Sequence, residues 1–243
     1  MSGCRGKKAE EIAEAVSIRR RAVFAPYIPA GVTTVAELKK LLETLEAEGA
    51  KNVKLTGEMI FVWDEGSHPV NIEEKTGRRS NTFKAAGVRP VKMCSAETFC
   101  ERFVRPVLGL ALKIDGKFLR EALPAKLSIG VAGCKRSCSE PSTKDIGVIG
   151  HPKGYEILAG GAAGFKPKIG ERIAIVAGED DVLRVIGKII EFARNMDKKN
   201  ARLWKLIEET GMEEFTREVL EGSATVDAGD EPQGSAEPLE MFR

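Results

Sequence analysis

Residues 94–138 of this chain contain the segments CSAETFC (94–100) and CKRSC (134–138), which together hold four of its five cysteines in two pairs. The first residues show no apolar run followed by a cleavage site, so we expect a cytoplasmic protein without a secretory signal. Cytoplasmic proteins seldom keep structural disulfides, and paired cysteines in them indicate a metal site before a disulfide. The two segments therefore predict that the chain binds a metal centre.

The spacing of the cysteines bears on which metal centre they bind. Zinc ribbons and fingers usually use two cysteines separated by two residues, a spacing that this sequence lacks. An iron–sulfur cube needs four thiolates arranged around a larger object, and wider spacings suit it. An iron–sulfur cluster is therefore the favoured interpretation, and zinc and free buried thiols are the alternatives.

The charge of the chain is unevenly distributed, although its formal net charge is only +2. Residues 75–136 contain fourteen Lys and Arg against four acidic residues, whereas residues 221–243 contain six acidic residues and one Arg. A basic middle segment indicates an anionic partner. Nucleic acid is not expected, because aromatic residues make up only 6% of the chain and the sequence has no nucleic-acid-binding motif. No apolar run reaches the roughly 18 residues of a membrane span, so no membrane association is expected.

The hydrophobic pattern predicts an α+β protein with four consecutive regions. They are a charged leader at 1–21, a strand–helix–strand–strand unit at 22–90, a cysteine-bearing unit at 91–220 and a disordered acidic tail at 221–243. The clearest helix starts after Thr34, which forms a capping-box pattern with Glu37. Farther along, a helix that starts after Ser95 should hold Cys100 inside it, and KLSIGVAG (126–133) should form one strand.

The motifs around the cysteines resemble those of a known family. The pattern C-x5-C followed by C-x3-C stands here with LPAKLSIGVAGCKRSC (123–138), DIGVIG (145–150) and LAGGAAGFKPKIG (158–170). Together they resemble the signature of the sulfite and nitrite reductases that couple siroheme to a 4Fe-4S cluster. The resemblance implies a single-repeat member of low molecular weight. It also implies a ferredoxin-like half-domain (22–90) followed by a siroheme- and 4Fe-4S-binding α+β domain (91–220).

The resemblance assigns roles to individual residues. The ligands of the cluster would be the four paired cysteines, namely Cys94, Cys100, Cys134 and Cys138. Cys138 would also bridge the cluster to the siroheme iron. Arg89, in GVRPVKMC, and Lys126, in LPAKLS, match two of the cations that hold the oxyanion substrate beside that iron. We therefore expect Arg89 and Lys126 to be catalytic residues.

Two positions depart from the family pattern. The early strand of the family carries an Arg where this chain reads LTGEM (55–59), with Glu58 at the expected place. The second Lys of the later strand is replaced by Ser128. Five other cations are candidates to restore the charge or to bind siroheme carboxylates, namely Arg78, Arg79 and Lys84 in the loop before Arg89 and Lys135 and Arg136 in the second cysteine segment.

The activity implied by the resemblance is the reduction of sulfite to sulfide. Nitrite is the alternative substrate, because nitrite-reducing members often carry a neutral residue at the position of Ser128, and a non-catalytic siroheme and 4Fe-4S electron-transfer protein is the third interpretation. The sequence has no flavin, nicotinamide or ferredoxin-type motif, so electrons should come from a separate ferredoxin-like protein or flavoprotein. Two-repeat members place siroheme where the repeats meet, so a homodimer is expected to supply the second half.

Overall fold

The structure is a computed structural model, and it describes residues 23–57, 59–63, 69–81 and 86–226. The predicted leader (1–21) lies outside these residues, as do Glu58, Lys84 and the acidic tail from residue 227 onward. None of the helices within the described ranges is long and apolar enough to cross a membrane.

Strands and helices alternate irregularly along the described chain. The strands are β1 (Val23–Phe24), β2 (Asn52–Leu55), β3 (Met59–Val62), β4 (Gly87–Val88), β5 (Lys92–Met93), β6 (Lys126–Leu127), β7 (Ile129–Ala132), β8 (Ile146–His151), β9 (Gly154–Ala159) and β10 (Glu171–Val176). The helices are α1 (Val35–Ala47), α2 (Ile72–Thr76), α3 (Ala96–Phe99), α4 (Leu108–Phe118), α5 (Glu179–Asn195), α6 (Leu203–Thr210) and α7 (Met212–Leu220). This mixture of separate helical and strand segments confirms the predicted α+β class.

The first unit is a small antiparallel sheet in the order β1-β3-β2, with α1 packed against it. The predicted capping box is present, because the Thr34 hydroxyl accepts a hydrogen bond from the Glu37 amide at 3.1 Å and the Glu37 carboxylate accepts one from the Thr34 amide. The buried core of this unit consists of Phe24, Leu41, Leu45, Phe61 and Trp63. This core is separate from the core of the cysteine-bearing unit. The domain boundaries at residues 22, 90 and 220 stay predictions.

The second unit is built on a five-stranded sheet in the order β10-β9-β8-β7-β5. Strands β5, β7 and β8 run parallel to one another. Strand β9 runs antiparallel to both of its neighbours, β8 and β10. Helices α4, α5, α6 and α7 contribute the apolar side chains that bury its core. Burial on one helical face explains α5, in which Val182, Val185, Ile186 and Ile189 are all fully buried.

The predicted strand over 126–133 is two strands that belong to different sheets. β6 pairs in parallel with β4, whereas β7 pairs in parallel with β5 and β8. Ser128 separates them, because its amide donates to the Asp145 carboxylate at 2.7 Å and is withdrawn from the strand ladder. The pairing of β6 with β4 brings Lys126 beside the segment that leads to Arg89.

The predicted helix after Ser95 is only one turn long. Helix α3 ends at Phe99, and Cys100 follows it in an extended conformation instead of lying inside a helix. Phe99, the last residue of this helix, is 86% exposed. The turn stops there because the Glu97 carboxylate accepts hydrogen bonds from the first amides of α4, at Val107 and Leu108, so the chain must turn back to start that helix.

The predicted disorder from residue 221 starts too early. The Val226 amide donates to the Ile175 carbonyl at 2.8 Å, and Thr225 forms a bridge with Val176 of β10. Strand β10 lies at the edge of its sheet, so its outer backbone groups are available to pair with a following segment. The chain remains paired with the sheet as far as the described residues extend.

Candidate functional site

A cavity of about 350 Å³ lies where the two units meet, and its wall is rich in cations. The five cationic residues that line it are Arg89, Lys92, Lys126, Lys144 and Arg202. No acidic side chain belongs to this lining among the described residues. A cavity with this charge is suited to bind an anion.

Strand pairing places the two predicted catalytic residues at this cavity. Gly87 pairs with Lys126 and Val88 with Leu127, and the Arg89 amide continues the ladder by donating to the Leu127 carbonyl at 2.9 Å. Because β4 and β6 run parallel, Arg89 and Lys126 come from neighbouring strands although 37 residues separate them in the chain. Both side chains line the same cavity.

The surroundings of Lys126 affect the pKa of its ammonium group. Its pKa is lowered, first because partial burial against the cavity wall disfavours the charged form and then because Arg202 and Arg89 are close. The carboxylate of Asp145 acts in the opposite direction. A lysine with a lowered pKa gives up its proton more readily than an ordinary lysine, which makes Lys126 a suitable proton donor to a bound oxyanion.

A buried carboxylate lies under the cation cavity. Asp145 is completely buried, and its Oδ2 accepts hydrogen bonds from the amide and the hydroxyl of Ser128, each at 2.7 Å. Arg202 binds both of its oxygens, through Nε at 2.9 Å and Nη2 at 2.7 Å. Buried charges require this kind of compensation, so Asp145 fixes the position of Arg202 at the cavity.

A second, larger cavity of about 640 Å³ adjoins the first. The lining residues common to both are Thr56, Gly57, Asn81, Pro90, Lys92 and Lys144. Cys138 and Met93 line the second cavity, next to the loop that starts at Cys94. The continuous space therefore extends from the cations of the first cavity to a cysteine of the second segment.

The four paired cysteines lie on two loops at the end of β5 and β7. Cys94, Cys100 and Cys134 are partly buried, Cys138 is exposed, and none of the four is in a disulfide. The Gly133 amide donates to the Cys94 sulfur at 3.2 Å, and the Arg102 amide points at the Cys100 sulfur at 3.4 Å. Amides directed at sulfur stabilise thiolates, which are the form that binds iron.

The contact between the two cysteine loops depends on Gly133. A Cβ atom at this position would lie only 3.0 Å from the Cβ of Ala96 and 3.0 Å from the carbonyl oxygen of Arg105. The absence of a side chain at Gly133 therefore lets the two loops come together.

The described residues contain no group of three or more His, Cys, Asp or Glu side chains that could hold a metal ion. The assignment of the four paired cysteines as ligands therefore stays a prediction. The thiols and the adjoining cavities are consistent with the predicted 4Fe-4S cluster and siroheme.

The other predicted cofactor-binding residues lie in different places. Arg78 and Arg79 line a separate cavity of about 440 Å³ together with Arg120, and Arg78 donates to the Tyr27 carbonyl at 3.1 Å. Lys84 lies outside the described residues, and Lys135 and Arg136 are exposed in the turn between the last two cysteines. The structure thus brings Arg89 and Lys126 together, and it separates Arg78 and Arg79 from them.

Three cations of the cavity were not predicted from the sequence. Lys92 lies two residues before Cys94, and Lys144 directly precedes the DIGVIG motif, so their nearness to known motifs was an available signal. Arg202 is 57 residues from Asp145 and precedes α6. No sequence spacing connects these two residues, because only the packing of α6 against the sheet brings them into contact.

Comparison with known proteins identifies the family of the chain. Residues 84–226 match the profile of the nitrite and sulphite reductase 4Fe-4S domain, and this region covers more than half of the sequence. The chain belongs to the nitrite and sulfite reductase family. This result confirms the predicted family and supports the cofactors expected for it, a 4Fe-4S cluster and siroheme.

Individual relatives agree with this assignment. The chain is 32% identical to the assimilatory-type sulfite reductase of Nitratidesulfovibrio vulgaris over 55% of its own length and 61% of that protein. It is 27% identical to the NAD(P)H nitrite reductase of Emericella nidulans over 75% of its length, but only 17% of that protein. The crystal structure of dissimilatory sulfite reductase I has the same fold, with a TM-score of 0.71 and 15% identity over 91% of this chain and 73% of the other. The chain thus spans less than two thirds of these two sequence relatives.

We predict that the affinity of the cavity for anions depends on the protonation of Lys126. Since its pKa lies below the ordinary lysine value of about 10.4, the ammonium should lose its charge at a lower pH than an exposed lysine. Nitrite affinity should therefore fall as the pH rises through this lowered pKa. Nitrite is a suitable probe because its own charge does not change in alkaline solution, and binding can be followed by the absorption of the cofactor-loaded protein.

The matched variants for this test are Lys126→Met and Lys39→Met. Lys39 is an exposed residue of α1 that pairs only loosely with Glu43, at 3.7 Å, so its replacement should leave the pH profile unchanged. Lys126→Met should remove the alkaline step in nitrite affinity. An identical pH profile in the parent and Lys126→Met would contradict the assignment.

Proposed function

We propose that this protein is a siroheme- and 4Fe-4S-dependent reductase that converts sulfite to sulfide. The main observation in support is the cavity lined by five cations, which continues into the space beside Cys138. An anion bound there would lie between the charges that recognise it and the loops that carry the thiols. Sulfite is favoured because one relative is named a sulfite reductase, and this chain covers 61% of it. Nitrite is the second candidate because another relative is named a nitrite reductase.

The residues that would hold the cofactors follow from the two cavities. The four cysteines would bind the cluster, with Cys138 shared between the cluster and the macrocycle because it is the cysteine that faces the larger cavity. Lys92 and Lys144 line both cavities and would pair with carboxylates of the macrocycle. When bound, the two cofactors supply the electrons of the reduction, which side chains cannot provide.

The protein's own contribution is the control of charge and protons. Arg89 and Lys126 would stabilise the negative charge on the oxyanion in a cavity where most cations are fixed by the fold. The Lys126 ammonium, whose pKa is lowered by burial and by neighbouring guanidinium groups, would donate a proton from Nζ to an oxygen of the substrate. These roles need no acidic side chain in the cavity wall.

The partners of this reaction are also part of the proposal. Electrons would come from a separate ferredoxin-like protein or flavoprotein, because side chains cannot supply them. A second copy of the chain would complete the siroheme site, since closed two-fold pairing is the commonest form of assembly.

We predict that Arg89→Ala and Lys126→Ala each lower sulfite turnover about 10²–10³-fold, because loss of one preorganised donor in a dry site has about this effect. Turnover is measured with reduced viologen as the electron donor, and iron and siroheme contents are measured on the same samples. Lys39→Ala on the surface of α1 is the matched control and should keep parental activity.

The same assay separates the reductase from a non-catalytic electron carrier. A carrier would show intact absorption spectra and negligible turnover of both sulfite and nitrite in the parent protein. If the parent, Arg89→Ala and Lys126→Ala were all equally inactive with full cofactor content, the proposed reductase activity would be wrong.

We predict that Cys138→Ser disturbs both metal centres, because one sulfur is proposed to serve the two. Iron content and the tetrapyrrole absorption bands should both change, whereas the overall fold should remain, since Cys138 is exposed and outside the core. Circular dichroism provides the check on folding. Normal siroheme bands together with a complete cluster in Cys138→Ser would rule out the shared sulfur.

We predict that the cofactor-loaded protein sediments as a dimer, at about twice the 26.4 kDa of one chain. Closed two-fold pairing is the commonest way in which a chain completes a site with a second copy of itself. Sedimentation velocity over a range of concentrations makes this measurement. A single species with the mass of one chain and a full complement of siroheme would exclude the dimer.

A further inference from the structure

Ser128 and the distant Arg202 bind the same buried carboxylate, that of Asp145. The family pattern carries a lysine there, and its loss leaves the cavity short of one cation in the sequence. In the structure, Ser128 contributes no charge, but its amide and hydroxyl both bind Oδ2 of Asp145 at 2.7 Å. The same carboxylate holds Arg202, whose side chain lines the cavity. The same carboxylate thus links the position of Ser128 to a guanidinium at the cavity wall.

The geometry of the Arg202–Asp145 pair leaves part of the guanidinium available. Nε and Nη2 each donate one hydrogen bond to the carboxylate, at 2.9 and 2.7 Å. A guanidinium has five N–H donors in a rigid plane, so three donors remain beyond the two that Asp145 accepts. The Arg202 side chain is 28% exposed while Asp145 is fully buried, so the side chain passes from the buried carboxylate to the cavity wall.

The charge of Arg202 acts on the residues of the cavity. Arg202 and Lys126 line the same cavity, and the positive charge of Arg202 contributes to the lowered pKa of Lys126. An anion bound between them would be stabilised by both groups.

We propose that Arg202 is an anion-recognition residue of this cavity and that Asp145 is the positioning residue that directs it, in place of the lysine absent at position 128. This inference rests on the proposed function, because the anion is the oxyanion substrate of the reductase. An arginine presents a planar fork that binds two oxygens of one anion, whereas a lysine acts as a point charge. Arg202 would therefore recognise an anion by the geometry of its hydrogen bonds.

The test uses the cofactor-loaded full-length protein, with sulfite and nitrite as probes. Removal of Arg202 alone leaves a buried, unpaired carboxylate and endangers folding, so the main variant is the double substitution Asp145→Asn/Arg202→Gln. Arg202→Lys is the second variant, since it keeps the charge and loses the fork. Arg217→Gln is the matched control, because Arg217 lies on the exposed surface of α7 and pairs with Glu214. The dissociation constant of each anion is measured from the change in absorption, and the Michaelis constant is separated from the turnover number.

The double variant should bind both anions about 10- to 100-fold more weakly than the parent, which corresponds to one or two hydrogen bonds to a charged group. Its cofactor content should stay close to that of Arg217→Gln, and circular dichroism should show that it is folded. Arg202→Lys should restore part of the affinity, and a purely structural role for Arg202 would instead change stability without this graded response.

The result that overturns the inference is an anion affinity within about twofold of the parent in a folded, cofactor-loaded double variant. Failure of the proposed function is distinguishable, because it would show as absent turnover in the parent itself. If the parent binds an anion without turnover and the double variant loses that binding, the inference stands and the reductase proposal falls. If the parent binds neither anion, the inference falls as well.

Discussion

The buried carboxylate of Asp145 is the constraint on which the rest of the site depends. A completely buried charge is tolerated only when hydrogen bonds and a counter-charge replace its hydration, and Asp145 obtains these from Ser128 and Arg202. Removal of one partner from a buried pair typically costs about 3–5 kcal/mol, and the figure is smaller here because Arg202 is 28% exposed. The same carboxylate breaks the strand at Ser128 and joins the start of α6 to the sheet.

Parallel pairing of two chain segments decides where the cations meet. Residues 87–88 pair with 126–127 and residues 92–93 pair with 130–131, so the register is nearly the same on both sides of Ser128. This pairing places Arg89 and Lys126 at one wall of the cavity. Five cations then line one space, and two of them are paired with carboxylates outside the lining, Arg202 with Asp145 and Lys144 with Glu140. An anion that binds there would stabilise the folded protein.

The basic middle segment of the sequence is divided in space. Arg89, Lys92 and Lys126 reach the central cavity, whereas Arg78 and Arg79 lie beside Tyr27 and Asp115. The Tyr27 hydroxyl donates to Asp115 at 2.7 Å, and burial raises the pKa of both groups. Asp115 also accepts from the Val91 amide at 2.9 Å, so this buried pair joins the first unit to the segment between Arg89 and Lys92. It fixes the wall of the cavity without taking part in its chemistry.

The sequence alone determined the features that depend on local order. Each of these features lies within a short segment, because it reflects hydrogen bonds or periodicity within a few residues. They are the cysteine spacing, the Thr34 capping box, the apolar face of α5 and the motifs that contain Arg89 and Lys126. Features that depend on pairing between distant segments were decided by the tertiary structure. At the broken strand the Asp145 carboxylate accepts the Ser128 amide, and after the one-turn helix the Glu97 carboxylate accepts the Val107 amide at the start of α4. The contact between Arg202 and Asp145 depends on the packing of α6 against the sheet, and no motif or spacing in the sequence predicts it.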